Sequence, residues 1–416
     1  MDYAIAKHCC KQIADILSNS SLTVDEKVEK TTKLLNSLPD RGVSEVIQFI
    51  LKVDNSAEAT YPANYLALLP NLQTEKRQIV EHILNYRQDL TIAAVNLVKD
   101  MPSEVVDRLI EEYFKNPSAP DMRSILFEVA IYFPERLHKF ASQITDKRIS
   151  EAILPGGLDS WVDNLVEQYH RTGDPLCLRK LSRFRTDKAL EALIKLQPIV
   201  PDEDKEILYM YIESSGVFPD TRKASVYFNT YRGFVVPRAE SPHKMGPGFS
   251  CVVPKCPICD TPATRILTLD AAQLDLALES GHNPSFFWYQ CPHPPSYIVV
   301  RLNEDGIEGI MTPLTDEHVD TDLIPGELSL LLEKHPNQFG RGRETSPGFS
   351  NHQVGGYPPW INLDTFPRCP DCGEGMRFLI SIDSGMTPFG RLAFGGIIYG
   401  FWCDDCVVSC TCRQSS

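Results

Sequence analysis

No apolar run in the 416 residues approaches the roughly 18 to 20 that a membrane-spanning helix needs. The first 17 residues have no basic start, no continuous apolar core and no cleavage site, so they do not read as a secretory signal. A cytoplasmic location is the default expectation. The chain also lacks a basic surplus. Its formal net charge is −14, and residues 245–416 hold 10 Lys and Arg against 20 Asp and Glu. That balance argues against nucleic acid, whose phosphates need basic surface, and suits a basic protein partner. A solvated acidic surface is the plain alternative. Catalytic signatures are missing as well: no Gly-x-x-x-x-Gly-Lys loop, no Gly-x-Ser-x-Gly elbow, no His-Glu-x-x-His pair. Their absence favours a non-enzymatic role, although scattered residues can also build an active site.

Cysteine is what the chain has in excess. There are 13, ten of them from Cys251 onward, several in tight Cys-x-x-Cys pairs. In a reducing compartment such pairs more often hold metal or do redox work than form lasting disulfides.

Residues 1–215 read as a succession of amphipathic helices. Val106, Leu109, Ile110, Tyr113 and Phe114 follow the i, i+3, i+4, i+7, i+8 spacing of one apolar face, with Ser103 as the expected N-cap. Asp174-Pro175 reads as a cap followed by proline at the first helical position, and Asp187 as the cap of a third helix. Short helices joined by short loops predict a HEAT-like solenoid, with an irregular bundle as the alternative. Residues 216–245, rich in proline, read as a linker. Beyond them, β-branched and aromatic runs at 265–269, 286–290, 297–302, 377–382 and 397–402 predict strands. The expected class is α+β: a helical repeat domain followed, over 246–416, by a duplicated β-rich domain.

The duplication is visible in order. Pro247-Gly248-Phe249-Ser250 returns as Pro347-Gly348-Phe349-Ser350, and Cys256-Pro257-Ile258-Cys259 as Cys369-Pro370-Asp371-Cys372. An Asp follows eleven residues after the second Cys of each pair, at Asp270 and Asp383, and an aromatic strand then ends in Cys291 or Cys403.

Cys369-x-x-Cys372 and Cys403-x-x-Cys406 are two knuckles that together offer four thiolates in a tetrahedron, which suits a structural Zn²⁺ of the zinc-ribbon kind. A disulfide pair or an iron–sulfur cluster competes less well. The first copy offers Cys256, Cys259, Cys291 and His293 for a second zinc, or is a decayed site; Cys251 and His282 are substitute ligands. Cys410 and Cys412 read as free thiols on a frayed tail. The acidic run Glu304, Asp305, Glu308, Asp316, Glu317, Asp320 and Asp322 reads as a solvated loop. His243, His318, His335 and His352 have no partner recognisable from sequence.

Val354-Gly355-Gly356-Tyr357-Pro358-x-Trp360-Ile361-Asn362, the cysteine pairs, and Gly396-x-x-Tyr399-x-Phe401-x-Cys403 resemble the bacterial YwqG-like domain of unknown function. Their order is also similar to the eukaryotic programmed cell death protein family that escorts a ribosomal protein. The resemblance covers about 245–412. It implies a pseudo-duplicated β domain with a binding role: an immunity protein that neutralises a cognate toxin, or an escort of a basic ribosomal protein. The Cys-x-His knuckle departs from a symmetric pair of zinc sites. Tyr357 and Trp360 are the candidate partner-contact aromatics, or staples of their own turn. A zinc-dependent enzyme is the third alternative.

Overall fold

The computed structural model describes residues 3–118, 120–247, 253–256, 258–289, 297–303, 306–311, 323–340 and 351–415. Helices come first and an antiparallel sheet follows. Two compact units divide the chain.

The first unit takes in Met1–Arg136 with the later segment Met386–Arg391. Thr23 starts the helix Val24–Asn36 through a reciprocal capping box with Glu26, which satisfies two backbone N–H groups that the helix leaves unpaired. The helix Ser103–Lys115 buries Val105, Val106, Leu109, Ile110 and Tyr113. Its N-cap is Pro102, not Ser103; proline's fixed φ supplies the extended entry, and Ser103 becomes the first helical residue. Lys76, 1% exposed, is ion-paired to Asp100 at 2.7 Å and donates to the Leu69 carbonyl at 2.8 Å. An ion buried to that degree needs such partners.

The second unit takes in Leu137–Ser346, Ser350–Gly385 and Leu392–Ser416. It includes the helices Asp159–Thr172, Pro175–Phe184, Asp187–Leu196 and Lys205–Glu213. Asp174 caps Pro175–Phe184, accepting from Leu176 N–H at 2.9 Å. Thr186 rather than Asp187 caps the next helix. Leu178, Leu181, Phe184, Leu193, Leu208 and Ile212 are fully buried in the core these helices share.

Eleven strands form the sheet: β1 (Tyr231–Pro237), β2 (Lys244–Met245), β3 (Ala263–Thr268), β4 (Ser285–Tyr289), β5 (Tyr297–Asn303), β6 (Gly306–Met311), β7 (Leu328–Lys334), β8 (His352–Val354), β9 (Arg377–Thr387), β10 (Gly390–Cys403) and β11 (Val408–Gln414). Their order is β4-β3-β2-β7-β1-β8-β9-β10-β11-β5-β6. β4 also lies against β5 and β11, so the sheet is nearly closed. β1 and β2 occupy the segment read as linker: β1 pairs with β7 along its whole length, and its single proline, Pro237, falls at the strand's end.

The order has an internal match. Taken in chain order, β1 to β5 can be set against β7 to β11, although Pro247-Gly248-Phe249-Ser250 follows β2 whereas Pro347-Gly348-Phe349-Ser350 precedes β8. β1 lies beside β8 and β7 beside β2, while β2-β3-β4 mirrors β8-β9-β10. The antiparallel pairs β1–β7 and β11–β5 join the two sets. Each set therefore places its first strand next to the second strand of the other.

Candidate metal centre

The knuckle before β9 is built by backbone hydrogen bonds. Cys369 N–H donates to the Glu374 carbonyl at 2.8 Å, and Gly373 N–H returns to the Cys369 carbonyl at 2.9 Å. Met376 N–H closes the turn on the Pro367 carbonyl at 2.8 Å. Gly373 takes φ +74°, which glycine adopts without strain. Cys403 ends β10, and Cys406 sits in the turn to β11.

These two turns bring the four cysteine sulfurs within 4.8 Å of one another. Cys372 Sγ lies 3.8 Å from Cys403 Sγ. With Zn–S bonds of about 2.3 Å, a tetrahedral site has sulfurs about 3.8 Å apart, so the donors fit the ion. Cys369 and Cys403 are buried in an aromatic core with Trp360, Phe366, Phe378, Tyr399 and Phe401; Cys406 is half-buried and Cys372 exposed.

Burial sets the bare thiols against ionisation at two of the four positions. Burial, with the neighbouring Cys369 and Cys372 sulfurs, drives the Cys403 thiol far up, and burial with the Cys372 and Cys369 sulfurs pushes Cys406 to about 12. Burial also raises Cys372, but hydrogen bonds from Glu374 N–H and from the other three thiols outweigh it and bring this one thiol below its ordinary value. A divalent cation would stabilise all four, releasing their protons on binding. Four sulfur ligands close the coordination shell, and such a site has no position for an activated water.

The first copy repeats the knuckle. Cys256 N–H donates to the Thr261 carbonyl at 2.9 Å, Asp260 N–H to the Cys256 carbonyl at 2.9 Å, and Ala263 N–H to the Pro254 carbonyl at 2.7 Å. These are the same three offsets as around Cys369, with Asp260 at φ +58° in the place of Gly373. Cys256 is buried and Cys259 exposed. Cys291, His293 and Cys251 lie outside the described residues. Among the described residues, the Cys369 quartet is the one group of three or more Cys, His, Asp or Glu gathered closely enough to hold an ion; His282 is not in it.

No family model matches this chain. Over 64 residues it is 33% identical to the uncharacterized protein YpfL of Salmonella typhimurium. That match covers 15% of this chain and 15% of the YpfL protein.

Two further pairs of residues follow the same repetition. His243 precedes β2 and accepts from Asp270 N–H at 3.0 Å; His352 begins β8 and accepts from Asp383 N–H at 3.3 Å. In each copy a buried imidazole meets the backbone of the Asp that recurs in sequence. His335, also buried, accepts from Asn337 N–H at 3.1 Å. His318 and the acidic run from Glu304 to Asp322, apart from the backbone of β6, lie outside the described residues.

Tyr357 and Trp360 are not surface contacts. Each is 5% exposed, with Trp360 stacked on Phe401 at 5.9 Å and tilted against Tyr399 at 4.7 Å. The turn that carries them is pressed onto the preceding chain. A Cβ on Gly355 would meet the Asn229 carbonyl oxygen at 2.2 Å, and one on Gly356 would meet Thr230 Oγ1 at 2.2 Å. Only glycines fit, and the aromatics turn inward beside them. Cys410 and Cys412 likewise belong to no frayed tail: β11 is paired on both sides, and Cys410 is 1% exposed.

Proposed function

We propose that the chain is a zinc-stabilised, non-enzymatic protein-binding module. The observation that carries this reading is the closed quartet Cys369, Cys372, Cys403 and Cys406, whose spacing matches a tetrahedral zinc with no ligand position left for chemistry. The repeated knuckles and the matched strand order support an internal duplication within the sheet. By that logic Cys256 and Cys259 take part in a second zinc site with Cys291 and His293.

No helix of the described residues is long and apolar enough to cross a membrane. The partner proposed is a protein, and a basic one, because the acidic surplus of the chain is concentrated in residues 245–416. A toxin neutralised by this chain and a basic ribosomal protein escorted by it are the two readings drawn from the sequence resemblance.

Zinc per chain, measured by plasma mass spectrometry on purified protein, tests the metal reading. Wild type is expected to hold two zincs, Cys403→Ser one, and Cys256→Ser one. A wild type that holds none after zinc loading overturns the reading. A wild type with one, unchanged in Cys256→Ser, removes the second site alone.

A further inference from the structure

Three contacts tie the second-copy knuckles to elements of the first copy. Asp404 stands between the ligands Cys403 and Cys406. Its Oδ2 accepts from the backbone N–H groups of Glu279 and, at 3.2 Å, Ser280; its Oδ1 accepts from Trp402 Nε1 at 2.8 Å. Asp371 stands between Cys369 and Cys372 and forms a two-pronged pair with Arg301 of β5, its Nε donating at 2.9 Å. Val407, next to Cys406, accepts from Leu302 N–H at 2.9 Å.

The segment that Asp404 holds runs from β3 to β4, and among its residues 274–284 there is no helix or strand to hold it. It has two other fastenings nearby. Asn229 Nδ2 donates to the Asp275 carbonyl at 2.7 Å, and Leu276 lies over the Gly355 turn, 3.2 Å from where a Cβ would stand. Both sit before Glu279; on the far side Ala271 N–H donates to Asn283 Oδ1 and Leu269 N–H to the Pro284 carbonyl, each at 2.9 Å, so Asp404 holds the tip of the bend, Glu279 and Ser280, between these fastenings.

We propose that Asp404 is a positioning residue that makes segment 275–282 a metal-dependent latch. This rests on the zinc reading above. Ion binding fixes the turn 403–406, because both its ends are ligands. The fixed turn aims the Asp404 carboxylate at two adjacent backbone N–H groups, an arrangement that needs the carboxylate held in one orientation. Without the ion, the turn keeps its flanking strands, the Leu302–Val407 bond and the Trp402–Asp404 bond but loses the restraint of its two ligands, and Glu279 and Ser280 hold their acceptor less firmly. The segment then opens locally while β3 and β4 stay paired.

Hydrogen exchange read at single amides tests the latch, on full-length protein saturated with Zn²⁺ and after chelation. Chelation is expected to speed exchange at Glu279 and Ser280 by about tenfold or more, with Leu267 and Phe287 unchanged. Asp404→Ala with zinc bound is expected to speed the same two amides while Gly373, inside the knuckle, stays protected. If zinc binds and its removal leaves Glu279 and Ser280 unchanged, the latch is wrong and the zinc site stands. If no zinc binds, both readings fall. Should chelation loosen the whole sheet, zinc-loaded Asp404→Ala decides: selective exposure of Glu279 and Ser280 supports the latch, and unchanged exchange overturns it.

Discussion

The Arg185 guanidinium lies over the Tyr357 ring, 4.6 Å from its centroid, while the Tyr357 hydroxyl reaches back to the Arg185 carbonyl at 3.5 Å. Arg185 takes φ +55° just after the helix Pro175–Phe184, and its side chain also donates to the Phe339 carbonyl at 2.6 Å. One residue thus seats an aromatic turn with its cation and its backbone together.

Truncating these aromatics is expected to act on stability. Trp360→Ala and Tyr357→Ala should each destabilise by about 3–5 kcal/mol, through lost burial and the cavity left behind. Tyr357→Phe should cost less than about 1 kcal/mol, because its hydroxyl bond is long. Urea midpoints measure both. Alanine variants of unchanged midpoint would show rings that are not part of the core.

Lys76 gives a second test, in the first unit. Lys76→Met removes the partner of a fully buried carboxylate and should destabilise by roughly 3–5 kcal/mol. Adding Asp100→Leu should recover a large part of that loss, since no charge then remains buried. A double variant as unstable as the sum of its singles would place the cost elsewhere, and a double-mutant cycle in urea separates the cases.

His243 makes stability depend on pH. Burial holds its pKa down to about 4 from 6.5; the Asp270 charge opposes this and Lys244 adds to it. The unfolded chain then takes up a proton below pH 6.5 that the folded protein refuses. Stability is complete above about pH 6.5 and falls as pH drops toward 4. The loss at the acid end amounts to roughly 3 kcal/mol. His243→Asn keeps an acceptor for the Asp270 N–H and removes the proton, so its stability should change less between pH 6.5 and 4. Parallel wild-type and variant profiles would exclude this group.

Sequence patterns announce some elements and conceal others, for physical reasons. The Cys369 quartet is legible because a knuckle is a local turn, and its ligand spacing is a property of a few adjacent residues. The face of Ser103–Lys115 is legible because helical periodicity is also local. β1, β2, β6, β7, β8 and β11 were not expected, although β1 and β7 are seven residues long. The pairing partners of β1 and β7 lie far along the chain, Tyr231 opposite Lys334 for instance, and what stabilises a strand is its neighbours rather than its own periodicity. Proline at the end of β1 and cysteines within β11 read as loop and tail until the partner strands are known. The inward seat of Tyr357 and Trp360 was hidden for the same reason: the surface that covers them comes from Arg185, Thr230 and Phe401. The interval from Cys259 to Asp270 recurs from Cys372 to Asp383, and at both places the Asp N–H donates to a buried histidine.

The exchange of first strands between the two sets has a consequence for how such a sheet could have arisen. A chain with one set alone would carry β1 with no β8 beside it, and its shortest way to complete the sheet would be a second molecule of itself. Two such molecules would trade their first strands across a two-fold axis between β1 and its twin. Joining their ends would give the present order without moving a strand. On the duplication reading, the ancestor would be a strand-swapped homodimer, each molecule carrying a knuckle of its own and completing the other's first strand.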